Sequence, residues 1–437
     1  MAEFHRGRRD FLKGVGYGAA GLLAGRPLLR AAHRGQKRPN VLLIMADDVG
    51  LEPLGCYGGS PVETPRLDRL ASSSTRFTHC YSCPVCHPSR LEIMTGRYTF
   101  RYSAGWGDWP EDEISFGQIL QDAGYATAVA GKWQLTLLKN NPDHAAELGF
   151  QESCLFGWHE GPRYYDPYIY QNGEVLQGVK DRYGPNVYCE FLIDFMQRHR
   201  EGPFFAYYPM ALCHAIADDF EPPPPPGPDG NYETYAEKVE KMDGIVGRLL
   251  DALESLNIRE NTVVMFVGDN GSPSRFITDV RDGKYIRTPI EPESLRGGKG
   301  SLTNAGTHVP LIVDWADKEL SGVISTMPVD FTDFAPTLAE ICGATMPDDR
   351  IIDGRSFAPR YERAPEKHKG WAYNERGGRA WVRDRKWKLY RNGDLYNVPA
   401  DPQEKHPLDP EKASREAGGA RNKLQAVFEK LHEQPDG

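Results

Sequence analysis

The sequence predicts an α/β fold: a doubly wound, mostly parallel central sheet flanked by helices, with a small C-terminal antiparallel sheet domain. Three observations predict it. Short apolar runs alternate with amphipathic helical stretches over most of the chain. Acids and a lysine stand just past several of those runs. From about Lys367 the texture changes to short aromatic segments punctuated by Gly and Asp. The length, 437 residues, leaves room for more than one unit. We divide it into a signal segment (1–38), a main α/β domain (39–366) and a small C-terminal α+β domain (367–437).

The first segment carries Arg8-Arg9-Asp10-Phe11-Leu12-Lys13 ahead of a Gly- and Ala-rich apolar stretch, 14–24. This is the pattern of a twin-arginine export signal, with the export machinery as partner and a bacterial periplasmic or extracellular destination. The run falls well short of the roughly 20 residues that a membrane span needs, so no stable span is expected. Residues 1–38 hold seven Arg and two Lys against one Asp and one Glu, so the remainder carries a net −16 where the whole chain carries −9. Such a surface repels nucleic acid, and an anionic substrate needs a local cluster of cations or a metal to draw it in.

The unbroken apolar run 41–45, after Pro39, reads as a strand buried on both faces, and Asp47 and Asp48 stand at its end. Thr64-Pro65 opens a helix to about Ala71. A helix over 115–122 and a strand over 126–130 follow, with Lys132 just beyond. A helix over 185–200 leads to a strand at 204–208, and His214 lies past it. After a proline-rich loop, 221–228, Val239, Met242, Ile245, Val246 and Leu249 space a helix within 232–256. The strand 262–267 ends in Asp269-Asn270-Gly271, and 311–313 offers another. In the small domain, strands are expected near 371–373, 380–382, 386–390 and 395–396, before a last helix at 412–432. Ligands of doubly wound sheets sit beyond the carboxyl ends of the strands, where Asp47, Asp48, Lys132, Asp269 and Asn270 all fall.

Eight cysteines, at 56, 80, 83, 86, 154, 189, 213 and 342, follow no regular spacing and make no disulfide scaffold. Cys83 and Cys86 are spaced C-x-x-C, but no second pair follows to complete a zinc site. The most specific stretch is Cys86-His87-Pro88-Ser89-Arg90, continued to Thr95-Gly96-Arg97. It resembles the signature of the type I sulfatases of the alkaline phosphatase superfamily, whose cysteine is converted to formylglycine by a maturation enzyme. A hydrated aldehyde offers one hydroxyl to attack sulfur and a second to expel sulfate, which a serine cannot do. Gly124-Tyr125-Ala126 through Gly131-Lys132-Trp133 resembles the second signature of that family. The likeness runs on through Asn40–Ile44, Val263–Gly271, Gly297-Gly298-Lys299-Gly300 and Asp401-Pro402-Gln403-Glu404.

The resemblance implies an alkaline-phosphatase-like fold and an arylsulfatase-like sulfuric ester hydrolase, acting on aryl or carbohydrate sulfate monoesters. It assigns Asp47, Asp48, Asp269 and Asn270, with the modified Cys86, to one divalent cation. Their hard oxygens suit calcium first, with magnesium or manganese as alternatives. It places Arg90, Lys132 and Lys299 around the sulfuryl group, and gives His214 the task of protonating or hydrogen-bonding the departing alkoxide. Three positions depart from the pattern. Gln134 stands where a histidine is common, and can orient a hydroxyl but not take its proton. His308 replaces a usual arginine, as a lost structural cation or a recruited pocket histidine. Cys83 is close enough in sequence to form a disulfide with an unmodified Cys86. The alternatives are a phosphonate or phosphate ester hydrolase of the same superfamily and a non-catalytic protein that binds sulfated glycans. The segments 102–109, 156–170, 215–228 and 272–295, rich in aromatics or proline, are expected at the pocket mouth.

Overall fold

The computed structural model describes residues 38–58, 61–216, 224–281, 284–315, 322–358 and 368–433. The twin-arginine motif and part of the proline-rich loop lie outside them. Pro39–Gly437 is one compact unit.

Strand β1 (Asn40–Ala46) is buried along its whole length, and its side chains feed two cores in turn. Leu42, Ile44 and Ala46 enter one, and Val41, Leu43 and Met45 the other. A strand covered on both faces has no reason to alternate apolar with polar, which is why this run is continuous. The main sheet also holds β2 (Thr75–Tyr81), β3 (Ala126–Lys132), β4 (Glu152–Phe156), β5 (Ile169–Gln171), β6 (Glu174–Val175) and β7 (Phe204–Pro209). β8 (Thr262–Gly268) belongs to it, while β9 (Phe276–Arg281) and β10 (Lys284–Pro289) pair only with each other. β11 (His308–Asp314), β12 (Ile324–Ser325) and β13 (Val329–Asp330) complete it. The order is β12-β2-β11-β8-β1-β7-β3-β4-β5-β6, with β13 beside β2.

The centre, β8-β1-β7-β3-β4, is parallel. The strand expected near 311–313 is β11, antiparallel to both β8 and β2. β2 has no counterpart in the sequence reading, because its exposed-side residues are polar and no long apolar run marks it. Glycine matters where β3 meets β7: Gly131 holds φ +115°, and a Cβ there would lie 2.2 Å from the Pro209 carbonyl oxygen. The close approach sets the exit of β3, from which Lys132 enters the site.

The helices are α1 (Pro65–Ser72), α2 (Cys86–Thr95), α3 (Phe116–Asp122), α4 (His144–Glu147), α5 (Gly184–Arg198), α6 (Tyr235–Ser255), α7 (Asn304–Thr307), α8 (Phe334–Cys342) and α9 (Arg415–Glu433). α1, α5 and α6 bury their apolar stripes in one core; α2, α3 and α8 fill the other. Ser115 is the cap of α3 and not its first turn: its hydroxyl accepts from Gln118 N (3.2 Å) while the Gln118 side chain accepts from Ser115 N (2.9 Å). No helix of the described residues is long and apolar enough to cross a membrane.

The C-terminal sheet is the expected antiparallel ladder of β14 (Ala372–Arg376), β15 (Arg379–Arg383), β16 (Trp387–Tyr390) and β17 (Leu395–Asn397). α9 lays Leu424, Phe428 and Leu431 against its Tyr373, Val382 and Leu389. A buried ionic knot ties it to the main domain. Lys369 Nζ reaches both Asp330 oxygens at 2.8 Å and Asp333 at 2.9 Å, and the Tyr98 hydroxyl and Tyr373 N–H donate to the same Asp330. His308 lies in this joint and not in the pocket. Its Nε2 is 2.9 Å from the Thr78 carbonyl, its ring stacks on Tyr81, and the Arg383 guanidinium covers Tyr81 from β15. Burial, with Arg383, pushes His308 down to about 3, and burial with Arg383 and Arg385 pushes the neighbouring His79 down to about 4. The possibility of a Cys83–Cys86 disulfide is not realised. Both cysteines are free, and burial, with the charge of nearby Glu92, raises the Cys83 thiol well above its ordinary value.

Candidate active site

The exits of three parallel strands are stitched together by backbone. Asp47 N donates to Leu212 O (2.8 Å), Cys213 N returns to Asp47 O (2.6 Å), and Asp269 N donates to Ala46 O (2.8 Å). Asp48 N then donates to Asp269 Oδ1 (3.0 Å). Asp48 turns away with φ +60°, a left-handed conformation costing a non-glycine residue on the order of 1 kcal/mol. The stitching brings Asp47, Asp48, Asp269 and Asn270 to one buried spot.

Cys86 arrives from the other side as the first residue of α2, only 4% exposed. Pro88 falls in the first turn, where its missing N–H costs nothing. One turn on, Arg90 donates to Asp269 Oδ2 (3.0 Å) and the Lys132 carbonyl (2.9 Å), with Asp47 at 3.6 Å. Lys132 Nζ meets Asp47 Oδ2 at 2.5 Å, and Lys299 pairs with Asp48. The Lys299 loop is pinned close to Cys86 by Gly300 N donating to Pro84 O (2.7 Å).

Three carboxylates thus face three cations, a balance that a dication would tip to positive, favouring an anionic ligand. One oxygen each of Asp47 and Asp269 and the Cys86 sulfur lie within 4.8 Å of one another, and Asp47, Asp48 and His214 form a second such group. Asp47 Oδ1 and Asn270 Oδ1 are buried with no hydrogen-bond partner. Buried acceptors left without a donor cost about 1–3 kcal/mol each unless something electropositive meets them. Burial and the Asp47 charge push the Asp269 carboxyl up to about 7. Burial also penalises the Asp47 charge, yet Lys132, His214, Arg90 and Lys299 hold its carboxyl well below the usual range. Like charges crowded into a dry site, with orphaned oxygens turned inward, fit a hard divalent cation.

His214 follows β7, and burial, then Lys132 and Lys299, lower its basicity well below the usual value. Gln134 sits two residues past Lys132, buried, at φ +53°, with its Oε1 lacking a partner. The structure therefore gathers Asp47, Asp48, Cys86, Arg90, Lys132, His214, Asp269, Asn270 and Lys299, and leaves Gln134 as a buried acceptor near the end of β3. His87 Nε2 donates to the Asp108 carbonyl (2.9 Å), tying the loop 105–109 to α2, and Trp106 lies 5.3 Å from the His87 ring while 56% exposed. Gly107, at φ +86°, makes room for Trp158, which a Cβ would meet at 2.3 Å. Residue-by-residue reading missed Arg163, buried at 2% exposure with a guanidinium nitrogen 2.9 Å from His214 Nδ1. Nothing local marks it; the one clue was its place in the segment 156–170.

Residues 39–344 match the model of the Sulfatase family. The human steryl-sulfatase is 28% identical over 427 residues, covering 77% of this chain and 71% of that protein. An arylsulfatase of Hemicentrotus pulcherrimus is 30% identical over 352 residues, covering 73% of this chain and 61% of that protein. Among solved structures, Ps i-CgsB in complex with k-i-k-neocarrahexaose superposes with a TM-score of 0.72 at 25% identity, over 90% of this chain and 93% of that one.

Proposed function

The chain belongs to the sulfatase family, and from that premise we propose that it hydrolyses sulfate monoesters of aryl or carbohydrate alcohols, with position 86 acting as formylglycine. The observation that carries the reading is the meeting of the Cys86 sulfur with Asp47 and Asp269 in a buried pocket walled by three cations. As formylglycine hydrate, position 86 would supply one hydroxyl whose oxygen attacks sulfur as the ester S–O bond breaks, its proton passing to solvent, and a second that gives up its proton to solvent as the C–O bond to the sulfate breaks, so that sulfate leaves with that electron pair and the aldehyde is restored. Asp47, Asp48, Asp269 and Asn270 would hold a divalent cation, calcium by their all-oxygen donor set, and its charge would favour the deprotonated form of the attacking hydroxyl and polarise the sulfuryl group.

The chain's own groups do the rest. Lys132 and Lys299, paired with Asp47 and Asp48 near Cys86, would offer positive charge to the sulfuryl oxygens as charge shifts towards them. Arg90 anchors Asp269 and the end of β3, fixing the angle at which position 86 faces the ester. Gln134 Oε1 accepts from the hydroxyl at position 86 and orients it without taking its proton. His214 attends the ester oxygen that leaves. Trp106, exposed beside His87, offers an apolar face to the aryl or sugar ring of the leaving group. We assign the oxidation of Cys86 to a maturation enzyme acting before export through the twin-arginine route to the periplasm or beyond.

The test compares turnover of 4-nitrophenyl sulfate with 4-nitrophenyl phosphate and a phosphonate monoester by the matured protein. Preference for the sulfate is expected. Preference for a phosphorus ester replaces the reading with the phosphoesterase one, and binding of sulfated glycans without turnover leaves a non-catalytic binder.

A further inference from the structure

We propose that Arg163 is a positioning residue that fixes the His214 ring with its lone pair on Nδ1 and its hydrogen on Nε2, so that the histidine meets the leaving ester oxygen as a hydrogen-bond donor. The catalytic consequence rests on the sulfatase reading; the tautomer does not.

Arg163 comes from the loop between β4 and β5, and its surroundings leave it little freedom. Its guanidinium lies 4.8 Å over the ring of Phe156, the residue paired with Lys132 across the sheet. Its neighbour Tyr164 sends a hydroxyl to within 2.9 Å of the Ala211 carbonyl and 2.8 Å of the His214 carbonyl. The loop is itself tied down, by Gly184 N to Tyr164 O (2.6 Å) and Tyr168 N to Pro162 O (2.8 Å). Two successive residues therefore grip His214, one at its backbone and one at its ring.

The ring contact decides the tautomer. A guanidinium has five N–H donors, no acceptor and no accessible neutral form. At 2.9 Å from Nδ1 it is satisfied only by a lone pair there. The Ala215 carbonyl, also 2.9 Å from Nδ1, pulls the other way and would favour a hydrogen on that nitrogen. The two demands cannot both be met. A charge-assisted hydrogen bond is roughly twice as strong as a neutral one, and an N–H aimed at a buried cation is repelled where little water screens it. The arginine wins, and the hydrogen is left on Nε2. No proton leaves the ring: the Nε2–H bond to the ester oxygen strengthens as the S–O bond breaks and negative charge gathers there, and the released alkoxide takes its proton from water.

Stabilisation of this kind counts most when the leaving alkoxide is basic. In the metal-loaded, matured enzyme, Arg163→Met is expected to lower kcat/KM on an alkyl or sugar sulfate by about 10²-fold, and on 4-nitrophenyl sulfate by less than about 10-fold. Arg163→Lys, which keeps a donor, restores most of the loss. Adding Arg163→Met to His214→Ala changes kcat/KM by less than about 2-fold, as for residues acting as one unit. Equal losses on both substrates, or additive losses in the double variant, overturn the proposal. Histidine-selective 15N spectra of the unmutated protein, with the His214 signal assigned by its absence in His214→Ala, test the tautomer even if Arg163→Met does not fold. An unprotonated Nδ1 and a protonated Nε2 support it, and the reverse overturns it. A wild-type enzyme that turns over no sulfate ester would sink the sulfatase reading while leaving the spectral test standing.

Discussion

At the scale of single residues, the site is defined by oxygens that have nothing to do inside the protein alone. Asp47 Oδ1 and Asn270 Oδ1 lack hydrogen-bond donors although both are fully buried. If they face a cation, Asn270→Ala removes a ligand without adding charge, and the metal retained after dialysis, read by elemental analysis, should fall by roughly 10-fold or more. Gln134 poses a different question, since its amide cannot act as a base. Gln134→Ala should lower kcat by roughly 10-fold while leaving the shape of the pH–rate profile unchanged, because an orienting contact is lost and no titrating group is. A profile that loses one limb would show that the residue shapes a proton transfer after all. Trp106→Ala is expected to raise KM about 10-fold with kcat within about 2-fold, the mark of binding shared equally by ground and transition states.

At the scale of elements, a buried ionic knot joins the C-terminal sheet to the main domain beside its apolar contacts. Removing one partner from a buried ionic knot strands the others, so Asp330→Asn should cost about 3–5 kcal/mol, read from denaturant unfolding. The stacked pair His79 and His308 in the same joint makes it acid-sensitive. Their native basicities lie below the ordinary 6.5, at about 4 and about 3, so between those values and 6.5 the unfolded chain binds more protons. Stability from these groups is complete above pH 6.5 and is lost as pH falls towards 3, by up to about 1.4 kcal/mol per pH unit for each histidine. Unfolding midpoints at pH 7 and pH 5 should differ more for the wild type than for His308→Gln. These elements were unequally legible. β1 and β8 announce themselves because both faces are buried, whereas Thr75-Arg76-Phe77-Thr78 of β2 shows one polar face and reads as a loop. The direction of β11 depends on which neighbours it finds across the sheet, and no local pattern encodes that.

At the scale of the whole molecule, a chain whose residues beyond the first 38 carry a net −16 concentrates three cations and three acids at the carboxyl edge of its sheet. Cys86, Lys132 and the paired acids were legible because they sit in contiguous motifs or directly at strand ends. Arg163 was not, because its role arises from a loop that reaches the residues after β7, and a buried arginine has the same letters around it as an exposed one. A divalent cation held by these buried carboxylates would couple the site to the fold: chelation should lower the melting temperature and abolish turnover together, and adding back a divalent cation should restore both. The central claim is that the residue at position 86 acts only after its thiol has been oxidised. Mass spectrometry of the tryptic peptide 77–90 from active protein measures this directly. The account predicts an aldehyde at position 86 in proportion to specific activity, and a fully active preparation that carries an intact thiol there would contradict it.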